Sequence, residues 1–389
     1  MSYNFDTTLD HRYDNSYRWV QPEGRDDFIG MGTADLDYEC APCIKEACRR
    51  VMEENTYNYR MRPDEYYDAI CRFYKANYGL ETDRSWFTHV PGTIVGIRIA
   101  LSAFANKGDA VLMHSPAFGP LKATIELAGY RYVTNPLVYK DGRYEYDAED
   151  FERKVRENNV KVFLLVNPHN PTGRAFTQAE LESMVDICAA NGVTIISDEV
   201  HSLVVFDGAR HIPILAVSET ARRISMQVIS LSKGFNVMSI PHALYGIADP
   251  DLREKWMQEY LPYDFHYASN SYAIAVVTAL LSGQADGWMA ELTQYLKRNL
   301  DECLAFFSRD DIAGTAVVPE ASFLVWVDLR DSGLDLDRLG AIFREEAGID
   351  LNDGADFGPD GRGFVHINFA VTNAVLKEAL SRMERVLKR

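Results

Sequence analysis

Val160-Lys161-Val162-Phe163-Leu164-Leu165-Val166 runs straight into Asn167-Pro168-His169-Asn170-Pro171-Thr172-Gly173. The first half is short, apolar and rich in Val and Leu, without strict alternation. It reads as a strand covered on both faces. The second half is a Pro- and Asn-rich turn that ends the strand. The same grammar recurs around it. Ala110–His114, Val193–Ser197 and Gln227–Leu231 read as further strands, and Ile94–Ala105, Pro120–Ala128, Ala148–Asn158 and Gln178–Asn191 as helices between them. Strand-helix alternation predicts an α/β protein with a mainly parallel sheet and right-handed crossovers.

Toward the C-terminus the pattern changes. Met289, Leu292, Leu296, Leu300, Cys303 and Phe307 share one face of a long helix over Gly287–Phe307. Strand-like Phe323–Leu329, helical Leu336–Ala347, strand-like Phe364–Phe369 and helical Ala374–Leu387 follow. The chain is too long for one simple core. It divides into an N-terminal segment (1–45), a large domain (46–283) and a small α+β domain (284–389), the first packing with the last.

Two more motifs stand after predicted strands: Ser197-Asp198-Glu199-Val200-His201 and Ser230-Leu231-Ser232-Lys233-Gly234-Phe235-Asn236. In open α/β sheets, ligands bind beyond the carboxyl ends of the strands. Taken singly, the three motifs read as a turn, a helix N-cap and a surface loop. Taken together, they match what pyridoxal 5′-phosphate (PLP) requires: an imine-forming lysine, an acid that keeps the pyridine nitrogen protonated, and donors for the ring oxygen. Lys233 is the candidate Schiff-base lysine, with a pKa lowered by partial burial and nearby charge. Asp198 could pair with the pyridinium, Asn170 could donate an amide N–H to the ring oxygen, and His201 could contact the same oxygen.

Composition narrows the alternatives. A formal net charge of -17 argues against nucleic acid and against an anionic membrane surface. It leaves room for one phosphate held by backbone N–H groups. No apolar run approaches the roughly 20 residues of a membrane span. Met1–Asp6 lacks a basic n-region, and six cysteines do not suggest a disulfide framework, so the expected compartment is the cytosol. Cys40-Ala41-Pro42-Cys43, with Cys48, resembles half a metal site without a second half. Tyr38–Val51 reads instead as a loop entering a helix, with Cys48 buried as a small hydrophobe, and no metal is expected.

The three motifs resemble those of fold-type I PLP enzymes of the class I/II aminotransferase superfamily. Met31–Tyr38, Pro91–Ile97, Ser115–Phe118, Asp198–Ser202 and Phe357–Gly361 narrow the resemblance to carbon–sulfur lyases of the MalY/PatB cystathionine β-lyase type. The likeness runs from about Met31 to the last helix. It implies a seven-stranded, mainly parallel sheet between helices in the large domain. It implies that Lys233 is both Schiff-base lysine and proton shuttle, that Asp198 pairs with the pyridine nitrogen, and that Asn170 and His201 lie near the ring oxygen. Phe118 stacks on the ring, where core packing is the plainer reading. Thr93 and Ile94 N–H groups hold the phosphate at a helix start, with Ser230 and Ser232 adding hydroxyls. The resemblance implies that Tyr59 reaches the phosphate of a neighbouring subunit and so that the active site requires a homodimer; a surface tyrosine in the Tyr-rich stretch Tyr57–Tyr67 is the alternative. The resemblance further implies that Ala34 and Asp35 lie beside an amino-bearing small-molecule substrate.

One departure bears on that substrate. In Phe364-Val365-His366-Ile367-Asn368 the resemblance leads one to expect Arg where His366 stands. A histidine cannot fork onto a carboxylate as Arg does. Either Arg362 takes over, or the substrate presents no ordinary α-carboxylate, or His366 is a core residue and the carboxylate is held elsewhere. The reaction the resemblance implies is β-elimination from cystathionine or another cysteine S-conjugate, giving a thiol, ammonia and a keto acid. An aminotransferase is the runner-up. His366 also allows an atypical PLP enzyme, such as a decarboxylating deaminase.

Overall fold

The computed structural model describes residues 2–11, 15–20, 27–206, 208–265 and 269–388. Its centre is a seven-stranded sheet: β1 (Phe87–Val90), β2 (Ala110–Ser115), β3 (Arg131–Pro136), β4 (Val160–Val166), β5 (Thr194–Asp198), β6 (Ser225–Ile229) and β7 (Ala243–Gly246). The spatial order is β1-β7-β6-β5-β4-β2-β3. Every pairing is parallel except those of β7, which runs against both β1 and β6.

The unalternating apolar runs have their reason in β4. Phe163 and Leu165 enter one apolar layer, and Val162, Leu164 and Val166 enter the other. Both faces of the sheet are therefore dry, as a parallel sheet under helices requires. The expected strands lie where the apolar runs put them, except that β6 sits two residues earlier than 227–231. Strands β1 and β3 escape the sequence reading because their residues are mixed in character, and β7 because it is only four residues long.

The second sheet follows the order β8 (Thr315–Val317), β9 (Leu324–Asp328), β11 (Phe364–Asn368) and β10 (Asn352–Asp353), all antiparallel. The helix Asp286–Phe307 buries Leu292, Leu296, Leu300 and Cys303 along its predicted face. The helix predicted over 336–347 is shorter, Leu339–Ile342, and continues as a wider turn over Phe343–Ala347. Cys40, Cys43 and Cys48 are free and half-buried around the helix Pro42–Glu53. Among the described residues, no helix is long and apolar enough to cross a membrane.

Candidate functional site

Because β1, β2, β4, β5 and β6 are all parallel, their carboxyl ends share one rim of the sheet. That rim collects Pro91–Ile94, Ser115–Phe118, Asn167–Gly173, Asp198–His201 and Ser230–Lys233. Lys233 lies on a single helical turn, Ser232–Phe235, and not in the loop expected from its polar neighbours. The turn is tied down by Asn236, which adopts φ +58°, donates to Tyr38 O at 3.0 Å and accepts from Leu36 N at 3.3 Å.

Lys233 Nζ donates to Ala34 O at 2.7 Å. Burial lowers its pKa, while Asp35 and Asp198 oppose the fall. It faces a cavity of about 590 Å³ shared with Thr33, Ala34, Asp35 and Asn236. Asp198, at the end of β5, is buried, and that burial pushes its carboxyl up to about 7. Lys233 pulls it the other way, so the two groups act on one another across the site.

Asn170 and His201 meet: Asn170 Nδ2 lies 3.5 Å from His201 Nε2. Asn170 Oδ1 is buried without a hydrogen-bond partner. His201 is driven down to about 3 by burial, with Lys233 and His366 adding to the effect, so its ring is neutral. Thr93 and Ile94 open the helix Thr93–Phe104 after Gly92. Tyr245 Oη donates to Thr93 O at 2.5 Å beneath it, and a Cβ at Gly96 would overlap the Tyr245 ring. Ser230 Oγ and Ser232 Oγ are 2.8 Å apart just past the end of β6, on the same rim. Phe118 is the N-cap residue of Gly119–Leu127 and is partly exposed, so it is not the core residue of the plainer reading. Tyr59 is 87% exposed and touches none of these groups within its own chain.

His366 is buried on β11, with neither ring nitrogen hydrogen-bonded. Burial pushes it down to about 3. Trp326 and Phe357 meet its ring edge-on at 5.6 and 5.0 Å. Two places along the same strand, Asn368 Nδ2 donates to Thr33 O and Asp35 O at 2.6 and 2.8 Å. Arg362 does not join them: its exposed guanidinium pairs with Asp337 at 2.7 and 3.0 Å.

Three contributors were not legible in the sequence. Buried Arg18 donates to Gly30 O at 2.7 Å and to Asp35 O and Oδ1 at 2.9 Å each, fixing the residue next to the Ala34 carbonyl that receives Lys233. Glu199 accepts from Ser197 Oγ at 2.9 Å and Ile214 N at 2.8 Å and meets His211 Nε2 at 2.8 Å, anchoring the strand end behind Asp198. Ser322 Oγ lies 3.0 Å from His201 Nδ1. Only Glu199 had a signal, its place beside Asp198.

The sequence model of the family described as Aminotransferase class I and II matches residues 26–383. The chain belongs to that family. Within the family it is 30% identical to cystathionine beta-lyase PatB of Bacillus subtilis (strain 168), over 99% of this chain and 100% of that one. It is 27% identical to protein MalY of Escherichia coli (strain K12), covering 94% and 93% of the two chains. The structure of the PLP-bound C-S lyase from Staphylococcus hominis superposes with a TM-score of 0.90 at 27% identity, covering 99% and 98%. The fold is that of the fold-type I members of this family, with β7 as the one reversed strand.

Proposed function

We propose that the chain is a PLP-dependent carbon–sulfur β-lyase acting on cystathionine or another cysteine S-conjugate. The observation that carries this reading is a buried amine, Lys233, and a buried carboxyl, Asp198, on one sheet rim, each acting on the other's charge. The cofactor fits the residues present. Asn170 Oδ1 is an orphaned buried polar atom, the Asp198 carboxyl is held up to about 7 by burial and so has a proton to share with a ring nitrogen, and the space at Gly92 before the helix start is open. Bound there, PLP supplies an electron sink that makes the proton α to an amine removable.

Lys233 Nζ holds the cofactor and moves the proton at the substrate α-carbon. Its hydrogen bond to Ala34 O aims it, and Arg18 steadies that peptide through Asp35. Asp198 would hold the pyridine nitrogen, its proton shared with that nitrogen and its carboxylate serving as counter-ion. Asn170 donates to the ring oxygen and His201 orients Asn170. Thr93 and Ile94 N–H groups and the Ser230 and Ser232 hydroxyls bind the phosphate at the helix start. Phe118, exposed at the start of the helix Gly119–Leu127, would cover the ring. Tyr59, exposed in the single chain, reaches the phosphate site of a second copy, so the working enzyme is a homodimer. Ala34, Asp35 and His366 border the substrate, and Arg362, engaged with Asp337, leaves the carboxylate to other groups.

The test is direct. Borohydride should fix the cofactor to Lys233, and cystathionine should release pyruvate and ammonia without added keto acid. A strict requirement for a keto-acid acceptor would make the protein an aminotransferase, and fixation at another lysine would overturn the site.

A further inference from the structure

Residues 319–323 form a strap that crosses two of the site motifs. Glu320 N and Ala321 N donate to Gly173 O at 2.9 and 3.0 Å, Phe206 N donates to Glu320 O at 3.0 Å, and Ser322 N donates to Val204 O at 2.8 Å. Gly173 has φ +70°, and a Cβ there would meet Pro319 Cβ at 2.5 Å. The turn that carries Asn170 and the strap are therefore fitted to each other. Ser322 is buried at φ +76°, a left-handed backbone that L side chains rarely adopt. That conformation places Ser322 Oγ 3.0 Å from His201 Nδ1, while His201 Nε2 faces Asn170.

The three side chains can be polarised in two directions. An amide turned end for end fills the same volume, and a neutral imidazole carries one donor and one acceptor. In one direction Asn170 donates to His201, His201 Nδ1–H donates to Ser322, and the Asn170 oxygen faces the site. In the other, the Ser322 hydroxyl donates to His201 Nδ1, His201 Nε2–H donates to Asn170 Oδ1, and the amide N–H groups face the site. A negatively charged ring oxygen accepts and cannot donate, so it selects the second direction.

We propose that Ser322 is a positioning residue for that oxygen: by donating to His201 Nδ1 it fixes the tautomer that holds the Asn170 amide with its N–H toward the cofactor. Ser322 acts through two other side chains and touches no reacting atom. The groups that bear electrostatically on His201 are Lys233 and His366, and both oppose a second proton on the ring. The relay therefore runs through a neutral imidazole. The inference rests on the role given to Asn170 under Proposed function.

The test uses the holoenzyme. Without the Ser322 hydroxyl, His201 is free to take the other tautomer, and donation from Asn170 weakens. Negative charge on the ring oxygen is then less stabilised, so the nitrogen linking Lys233 to the cofactor keeps its proton to higher pH. The pH midpoint of the bound cofactor's visible absorption should rise by about half to one pH unit in Ser322→Gly and Ser322→Ala. Glycine takes the left-handed conformation without strain, so the Gly variant preserves the backbone. An unchanged midpoint in Ser322→Gly holoenzyme overturns the relay. A wild-type protein in which borohydride fixes no cofactor to Lys233 overturns instead the reading on which it rests.

Discussion

Replacing Asp198 by Asn should stabilise the cofactor-free protein above neutral pH and leave it little changed in acid. Asp198 carries a carboxyl whose ordinary value of 3.8 is pushed to about 7, with burial as the main cause and Glu199 adding to it. The unfolded chain loses that proton near 3.8, while the folded chain keeps it to about 7. Between those values the folded state binds more protons than the unfolded one, so stability falls as pH rises. Below the interval both states are protonated and above it both are ionised, so the cost is absent in acid and constant above about 7. At 1.36 kcal/mol per pH unit the interval amounts to about 4 kcal/mol. An Asn side chain does not titrate, so its own packing effect is a constant offset. The assay is urea unfolding of both cofactor-free proteins from about pH 4 to about pH 8, with the variant-minus-wild-type difference plotted against pH. That difference should climb by several kcal/mol and level off. A difference that stays flat would refute the claim that Asp198 is a buried acid waiting for a cationic partner. Saturating wild type with cofactor should remove most of the slope, because the pyridinium then offsets the buried charge.

Other substitutions probe other parts of the site. His366→Arg should raise kcat/KM for simple cysteine S-conjugates about tenfold through a bidentate grip on the carboxylate, read as pyruvate release; no gain would place the carboxylate elsewhere. Wild-type KM should meanwhile show no His366 titration between about pH 5 and 8, because the ring charges only at about 3. Gly96→Ala should cost about 1–3 kcal/mol by overpacking against Tyr245, and should weaken cofactor binding by shifting the helix start, measured by thermal melting with and without PLP. Tyr59→Phe should change single-chain stability by less than about 0.5 kcal/mol, since the side chain is exposed, yet speed cofactor loss from the dimer; an unchanged release rate would remove Tyr59 from the phosphate site.

The sequence by itself determined the strand-helix alternation, because an apolar run buried on both faces cannot alternate, and β4 with its Asn-Pro turn is such a run. It also singled out Lys233, Asp198 and Asn170, because the chemistry of an imine, a pyridinium and a ring oxygen demands those residue types at strand ends. Local pattern could not mark β7 as reversed, since strand direction is set by what lies on either side. It could not tell that Arg362 is taken by Asp337, nor that His366 sits unpartnered between Trp326 and Phe357. Arg18 and Ser322 stand 17 and 121 residues from the groups they hold, Asp35 and His201. Contacts over such separations leave no periodicity to read. They exist only after the sheet has brought the strand ends together and the second sheet has laid residues 319–323 across them.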